Sequence, residues 1–501
     1  MNKKVLVLSV PRLEPHRPPI SATLVATVCK NHGCDVKLRD LNIEFYHYCK
    51  LNNIEYQKFD PIWDRYVEPS NLELSHIHTH IDNFIATEDL HSYDIIMISV
   101  FGSSSHYFTE MLLKKIAVDR SYKILLGGSG AFVSIMNRGH NSFVVEMQKQ
   151  NLIDDFIKGE CEESLKYYLD GKEYPGINNY DPVQIDDLDS LPLIDYSFVD
   201  LDAYEYLTET KDVYVEGSRG CVRKCTYCDV QKFWPKYRFR SGQHIAHELI
   251  NNYEKFGIKK FYFTDSLVNG SLKSFNQMCD ILANYPYSKE ISWGGQFIFR
   301  NERTVPPEHF EMIAKAGGTN TFYVGIETGS DQVRKQMGKN FTNEDISYQL
   351  EEFKKNKLKC TFLMFPGYIT ETEKDHQDTL DMFLRWQKYV ASGTINGLEL
   401  GSPLIVLEGT PLASMIDEYQ IAFLESDRIT TGNFWVSKLN PSFDFEQRAI
   451  RQIRLYEEAA KYKWPIWRFE SRAEELKQTL IRFYEIKEKN PTYKITPIKI
   501  N

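Results

Sequence analysis

Gly217-Ser218-Arg219-Gly220-Cys221-Val222-Arg223-Lys224-Cys225-Thr226-Tyr227-Cys228 follows directly on a short apolar run at 213–216. Three cysteines fall on one stretch at CxxxCxxC spacing. Three thiolates so spaced can bind three irons of one cubane and leave the fourth iron without a protein ligand. An open coordination position is what separates a catalytic metal centre from a closed structural one. Gly217 and Gly220 let the backbone curl around such a group. A structural zinc site needs a fourth ligand, usually from a second Cys or His pair. Cys279 and Cys360 stand alone in predicted helix and strand cores, and His244 and His247 lie on a helix without ligand spacing. The loop follows a strand, and α/β sheets place their active sites at strand C-termini.

Outward from this loop, strands are expected at 213–216, 258–264, 291–299, 321–326, 358–365 and 395–406. Between them, Ile245, Leu249, Tyr253 and Phe256 mark one helix face, and Leu272, Phe275, Cys279 and Leu282 another. Thr342 with Asp345 reads as a capping box ahead of Ile346, Leu350 and Phe353. Six βα units over 213–415 make a partial (β/α)6 barrel rather than an eight-unit one. Residues 1–171 hold five strand-like runs, at 4–10, 36–39, 94–100, 123–126 and 154–158, with helices at 22–32 and 105–116. That alternation describes a doubly wound, Rossmann-like α/β domain. Residues 41–90, polar and aromatic, break the rhythm and read as an insertion. Residues 172–212, with Pro175, Gly176, Pro182, Pro192 and the acids Asp186, Asp187 and Asp189, read as a linker. Charged helical patterns at 447–461 and 473–489 make 416–501 a small C-terminal helical domain.

At 42% hydrophobic and 26% charged, the 501 residues have the balance of a globular protein. No eighteen-residue apolar run occurs, so no membrane partner is expected. The apolar run near the start is too short for a signal peptide. A net charge of −9 speaks against a nucleic-acid partner. Nine cysteines, an odd and sparse set, argue against a disulfide framework and for a reducing, cytoplasmic location.

The cysteine loop, with an aromatic residue before its last cysteine, resembles the radical S-adenosylmethionine (radical SAM) superfamily. Further segments extend the likeness over most of the chain. Thr264-Asp265 ends a strand as in that family; Val324-Gly325-Ile326-Glu327-Thr328-Gly329-Ser330 is similar to its strand-four signature. Phe365-Pro366-Gly367 resembles its strand-five glycine, and Gly409-Thr410-Pro411-Leu412 the segment closing the barrel. The N-terminal domain, ending in Gly159-Glu160-Cys161-Glu162, resembles the cobalamin-binding domain fused to many such enzymes; Cys161 departs from the usual Gly-Glu-Gly-Glu.

The resemblance implies a [4Fe–4S] cluster on Cys221, Cys225 and Cys228 whose open iron is chelated by S-adenosylmethionine. A one-electron reductant such as flavodoxin or ferredoxin would feed it, and the 5′-deoxyadenosyl radical would take a substrate hydrogen. Tyr227 would pack beside the cluster. Glu327 would accept a hydrogen bond from the ribose or amino group, or pair with Arg300 or Lys339. Gln296 and Arg300, on one strand face by period two, would touch the nucleoside or methionine carboxylate, or simply line the barrel. Asp265 would bind substrate or the methionine amine, or cap a helix. Gly367 would also lie on the cofactor side. In the N-terminal domain, Ser99, Ser103, Gly127, Gly128, Gly159 and Glu160 would sit where doubly wound sheets bind ligands, here cobalamin. The motif Asp-x-His-x-x-Gly is absent, which implies cobalt without a protein imidazole.

The first reading is a cobalamin-dependent methyltransferase acting on an unactivated carbon or phosphorus of a small-molecule or peptide substrate, in natural-product or cofactor biosynthesis. The second is a cobalamin-independent radical SAM enzyme performing rearrangement, cyclisation or sulfur insertion. Sulfur insertion usually needs an auxiliary cluster, and Cys29, Cys34, Cys49, Cys161, Cys279 and Cys360 offer no second tight motif. The third is an Fe–S electron-transfer or redox-sensing protein, which would have no use for the barrel series.

Overall fold

The computed structural model describes residues 2–63, 68–132, 142–179, 183–319, 321–423, 432–440 and 442–489. It divides into two compact units, Met1–Val215 with Ile250–Lys260, and Glu216–Leu249 with Phe261–Asn501. In the first, β1 (Lys4–Ser9), β2 (Asp35–Asp40), β3 (Ile95–Ser99), β4 (Lys123–Gly127) and β5 (Asp155–Ile157) form a parallel sheet ordered β2-β1-β3-β4-β5. Successive side chains point to opposite faces. Leu6, Leu8, Ile96 and Ile98 enter one core, and Val5, Val7, Ile95 and Met97 another. Burial on both faces is why these strands read as unbroken apolar runs. Strand order reverses beside β1, the switch point at which such sheets bind ligands.

Residues 41–90 are part of this unit's core. Helices Leu41–Leu51, Asp60–Trp63 and Asn71–Thr87 make the β2–β3 connection; residues 64–67 lie outside the described part. Phe45, Phe59, Trp63, Ile77, Ile81 and Phe84 share the core of Leu6 and Ile98, with Phe45 and Phe59 edge-on at 4.9 Å. A few large rings supply the burial there. Separated by polar residues, they left no apolar period in the sequence.

The remaining strands are β6 (Asp212–Val215), the short antiparallel pair β7 (Ser218–Arg219) and β8 (Arg238–Phe239), then β9 (Lys260–Phe263), β10 (Ser292–Gln296), β11 (Thr321–Glu327), β12 (Lys359–Met364) and β13 (Ile395–Leu400). Six of them form one sheet ordered β13-β12-β11-β10-β9-β6, parallel from β10 to β13. Among the described residues its two edges do not pair, so the barrel is partial, as expected. The capping box of Thr342 with Asp345 starts helix Asn343–Lys355, and Thr372 with Asp375 repeats the device at Glu373–Arg385. The C-terminal region holds helices Phe445–Lys461 and Phe469–Lys489. It also holds an antiparallel pair, β14 (Ile421–Phe423) and β15 (Trp435–Ser437), too short to leave a period in the sequence. No described helix is long and apolar enough to cross a membrane.

Gly127 and Gly128, at the end of β4, have different reasons to be glycine. Gly128 takes φ +98°, and a Cβ there would collide with the Val100 carbonyl, whose carbon would lie 3.0 Å away. At Gly127 the nearest atom to a Cβ, Ile157 O, would be 3.7 Å off, an ordinary contact. Gly128→Ala is therefore expected to cost about 2–4 kcal/mol, and Gly127→Ala about 1 kcal/mol or less. Urea unfolding of the two variants checks this; equal losses would contradict it.

Candidate active site

Asp265 lies two residues past β9 and is buried. Its Oδ2 accepts from Gly217 N at 2.8 Å and its Oδ1 from Ser218 Oγ at 2.5 Å. Burial outweighs these bonds and pushes the carboxyl up to about 7. Gly220 takes φ +88°, and a Cβ there would stand 2.7 Å from the Lys236 carbonyl oxygen. Farther along, Thr226 N donates to Met337 O at 3.1 Å, Leu412 N donates to Thr226 O at 2.7 Å, and Thr226 Oγ1 lies 2.8 Å from the Tyr368 hydroxyl. The cysteine loop is thus pinned on both sides of Cys221.

Cys221, Cys225 and Cys228 are half-buried and free of disulfides. Burial raises all three thiols, Cys228 to about 11, and Cys225 raises the other two further. Such thiols give up their protons when a metal binds. Among the described residues no three His, Cys, Asp or Glu side chains gather round one point as a single ion requires.

β11 shifts register between Gly325 and Glu327, and Glu327 takes φ +63°. A left-handed non-glycine residue stores of order 1–3 kcal/mol and persists only where its surroundings hold it. Here the Tyr227 hydroxyl donates to Glu327 Oε1 at 2.8 Å, and Lys339 Nζ lies 2.8 Å from the same oxygen. Lys339 Nζ also donates to Gly325 O at 2.7 Å. A Cβ on Gly325 would stand 3.1 Å from that Nζ and closer still to the Glu327 carboxylate. Buried Arg334 fixes the turn beyond, donating to the carbonyls of Ile326 at 3.3 Å, Thr328 at 2.6 Å and Phe341 at 3.2 Å.

A cavity of about 460 Å³ opens at these strand ends. It is lined by Tyr227, Gln296, Glu327, Leu363, Met364, Phe365, Glu399, Gly401, Ser402, Leu404, Ile405 and Leu407. Apolar walls with a few placed polar groups are the usual make-up of a small-molecule site. Residues 215–383, which include the loop, Asp265 and Glu327, match the radical SAM superfamily. The chain carries a radical SAM domain.

An uncharacterized methyltransferase of Pyrococcus horikoshii is 24% identical over 58% of this chain and 64% of its own length. A tRNA-2-methylthio-N(6)-dimethylallyladenosine synthase of Christiangramia forsetii is 23% identical over 62% of this chain and 66% of its own. The chain thus spans less than two thirds of either relative. Among solved structures, the radical SAM methyltransferase TsrM from Kitasatospora setae, with cobalamin and a [4Fe–4S] cluster bound, aligns at TM-score 0.59 and 13% identity, covering 83% of this chain and 78% of its own. The cobalamin-dependent radical SAM enzyme OxsB with aqua-cobalamin aligns at 0.63 and 15%, covering 90% and 66%. At these identities the likeness is one of fold.

Within the radical SAM domain, the cavity gathers Tyr227, Gln296 and Glu327 from the residues singled out in the sequence, and its lining leaves out Cys221, Cys225, Cys228, Asp265, Arg300 and Gly367. Asp265 neither faces the cavity nor caps a helix; Ser271 caps the helix after β9. The chain leaves β10 at Gln296, so the period-two pairing with Arg300 fails, and Arg300 donates to Asn269 O at 2.8 Å and Gly270 O at 3.2 Å. Of the two partners considered for Glu327, the structure gives Lys339. Gly367 has φ +84°, and a Cβ there would lie 2.6 Å from Arg448 Cδ, so it makes room for a buried arginine. Glu399 was missed. The signal available was a lone acid in the apolar strand Ile395–Leu400.

In the first unit, Ser103, Gly128 and Gly159 lie exposed beyond β3, β4 and β5, with Gly127 half-buried. Bare backbone at the exposed glycines suits the close approach of a large flat cofactor. Ser99 Oγ lies 3.2 Å from Ser21 Oγ. Glu160 is turned away, its Oε2 accepting from Ile185 N at 2.7 Å.

Lys339 and Glu327, each with a side chain 11% exposed, form a pair whose loss leaves a lone buried charge. Lys339→Met is expected to cost about 3–5 kcal/mol. Adding Glu327→Gln should restore part of it, with a coupling of about 1–3 kcal/mol. A urea-unfolding double-mutant cycle measures this, and additive losses would contradict the pairing.

Proposed function

We propose that the chain is a cobalamin-dependent radical SAM methyltransferase acting on an unactivated carbon or phosphorus of a small molecule or peptide. The observation that carries the reading is the pinned loop with Cys221, Cys225 and Cys228, placed beside a cavity walled by Tyr227 and Glu327. When bound, the cluster supplies the electron that cleaves S-adenosylmethionine, and cobalamin carries the methyl group. The chain's part is to bind and orient. Asp265 fixes where the loop begins, Tyr227 and Lys339 hold Glu327 as an acceptor for the nucleoside or the amino group, and Leu363, Met364, Phe365 and Leu404 exclude water. Exposed backbone at Gly128 and Gly159, the exposed Ser103, and the fold shared with TsrM and OxsB support cobalamin. Lys224, Lys232 and Lys236 are exposed around the loop with Val222, Phe233 and Phe239, in a chain of net charge −9. Exposed lysines interleaved in sequence with exposed apolar side chains suit an acidic electron carrier.

The methylthiotransferases among the relatives favour sulfur insertion as the second reading. Against it, Cys29, Cys49, Cys279 and Cys360 are each buried, Cys34 and Cys161 are half-buried, and the six offer no second tight motif in the sequence.

Anaerobic purification and reconstitution with cobalamin should give about four irons, about four sulfides and about one cobalt per chain. Alanine at Cys221, Cys225 or Cys228 should remove the iron and the release of 5′-deoxyadenosine. Cys279→Ala and Cys360→Ala should keep both, at about 1 kcal/mol of stability each. Iron without cobalt would leave a cobalamin-free radical SAM enzyme; full cleavage activity in a Cys225→Ala protein would remove the cluster assignment.

A further inference from the structure

Two carboxylates line the cavity, and their surroundings differ. Glu327 is neutralised by Lys339, which pairs with no other acid among the described residues. Glu399, on β13, has one oxygen engaged: Oε1 accepts from Arg472 Nη2 at 3.1 Å. Arg472 is shared, because its Nη1 donates to Glu475 Oε2 at 2.8 Å. The other nearby cation, Arg468, is 3.9 Å from Glu399, and its side chain is 60% exposed. An exposed pair at that distance contributes little. Glu399 therefore shares its one close cation with Glu475, and both of its cation contacts fall on the same oxygen, Oε1. Among the described residues nothing bonds Glu399 Oε2.

β13 stands two strands from β11 in the sheet. At about 4.8 Å between neighbouring strands, Glu399 is roughly 10 Å from the Glu327 end of the cavity. Leu404, Ile405 and Leu407 line the same cavity.

We infer that Glu399 is the substrate-recognising carboxylate of this cavity, and that the substrate carries an amine on an apolar body. The inference rests on the proposed function, which gives the Glu327 end to S-adenosylmethionine and leaves the Glu399 end for the molecule that reacts. The ammonium meets Glu399 Oε2, the apolar body packs on Leu404 and Leu407, and Arg472 tunes the attraction by partly neutralising the acid. A purely structural Glu399, present only to tie β13 to helix Phe469–Lys489, would show no preference among ligands of one shape and different charge.

The test uses the reconstituted full chain with S-adenosylmethionine and three probes of one shape: 4-phenylbutylamine, 4-phenylbutanol and 4-phenylbutyrate. Dissociation constants are measured by ligand-observed NMR. The amine should bind about tenfold tighter than the alcohol or the acid, a difference of about one decade in Kd. Glu399→Gln should erase the preference. Arg472→Gln, which unmasks the acid, should tighten amine binding severalfold. The opposite signs keep the test decisive if either variant folds poorly. Equal binding of the three probes, tighter binding of the acid, no detectable amine binding, or an amine preference that survives in Glu399→Gln would overturn the inference. Iron content and 5′-deoxyadenosine release of the same wild-type sample report on the underlying reading. If they fail while the amine preference holds, the reading has failed; if they hold while the preference is missing, this inference has.

Discussion

The Asp265 carboxyl group holds the Gly217 amide and the Ser218 hydroxyl, and the placement of the cysteine loop follows from that. Near the loop's far end, the Tyr227 hydroxyl rests on Glu327, the last residue of β11. The loop is therefore strung between the ends of two strands of one sheet. Both anchors are buried acids, and neither survives cheaply without its partners: an unmet buried carboxylate costs several kcal/mol. The same arrangement explains the left-handed backbone at Glu327. The register shift at Gly325 turns the side chain toward Tyr227 and Lys339, and three carbonyls held by Arg334 keep the turn in place.

How much of this was legible in the sequence depended on how each element is stabilised. Strands buried on both faces, such as Ile95–Ser99 and Lys359–Met364, leave continuous apolar runs and were found within a residue or two. The helices between Leu41 and Thr87 are held by a handful of rings in a polar sequence, so they looked like an insertion. The strands Ile421–Phe423 and Trp435–Ser437 are shorter than any period that could reveal them.

The site divides the same way. The three cysteines could be read from spacing alone, and Glu327 from the segment around it. Asp265 was found as a residue, but its contacts with Gly217 and Ser218 join positions 47 and 48 residues apart, which no local pattern encodes. Arg300 was misplaced because strand periodicity was carried past Gln296, where the strand stops. Glu399 escaped because its meaning comes from Arg472, 73 residues later, and from the cavity they border. Long-range partners, rather than residue types, were the missing information.

The central claim is that the loop presents a cluster with one iron left open for S-adenosylmethionine. Mössbauer spectroscopy of protein reconstituted with iron-57, before and after adding S-adenosylmethionine, tests it most directly. The account predicts that about a quarter of the iron signal, one site of a four-iron cluster, changes its parameters on addition while the rest stays unchanged. A spectrum in which no site responds, or a protein that takes up zinc in place of iron on Cys221, Cys225 and Cys228, would contradict it.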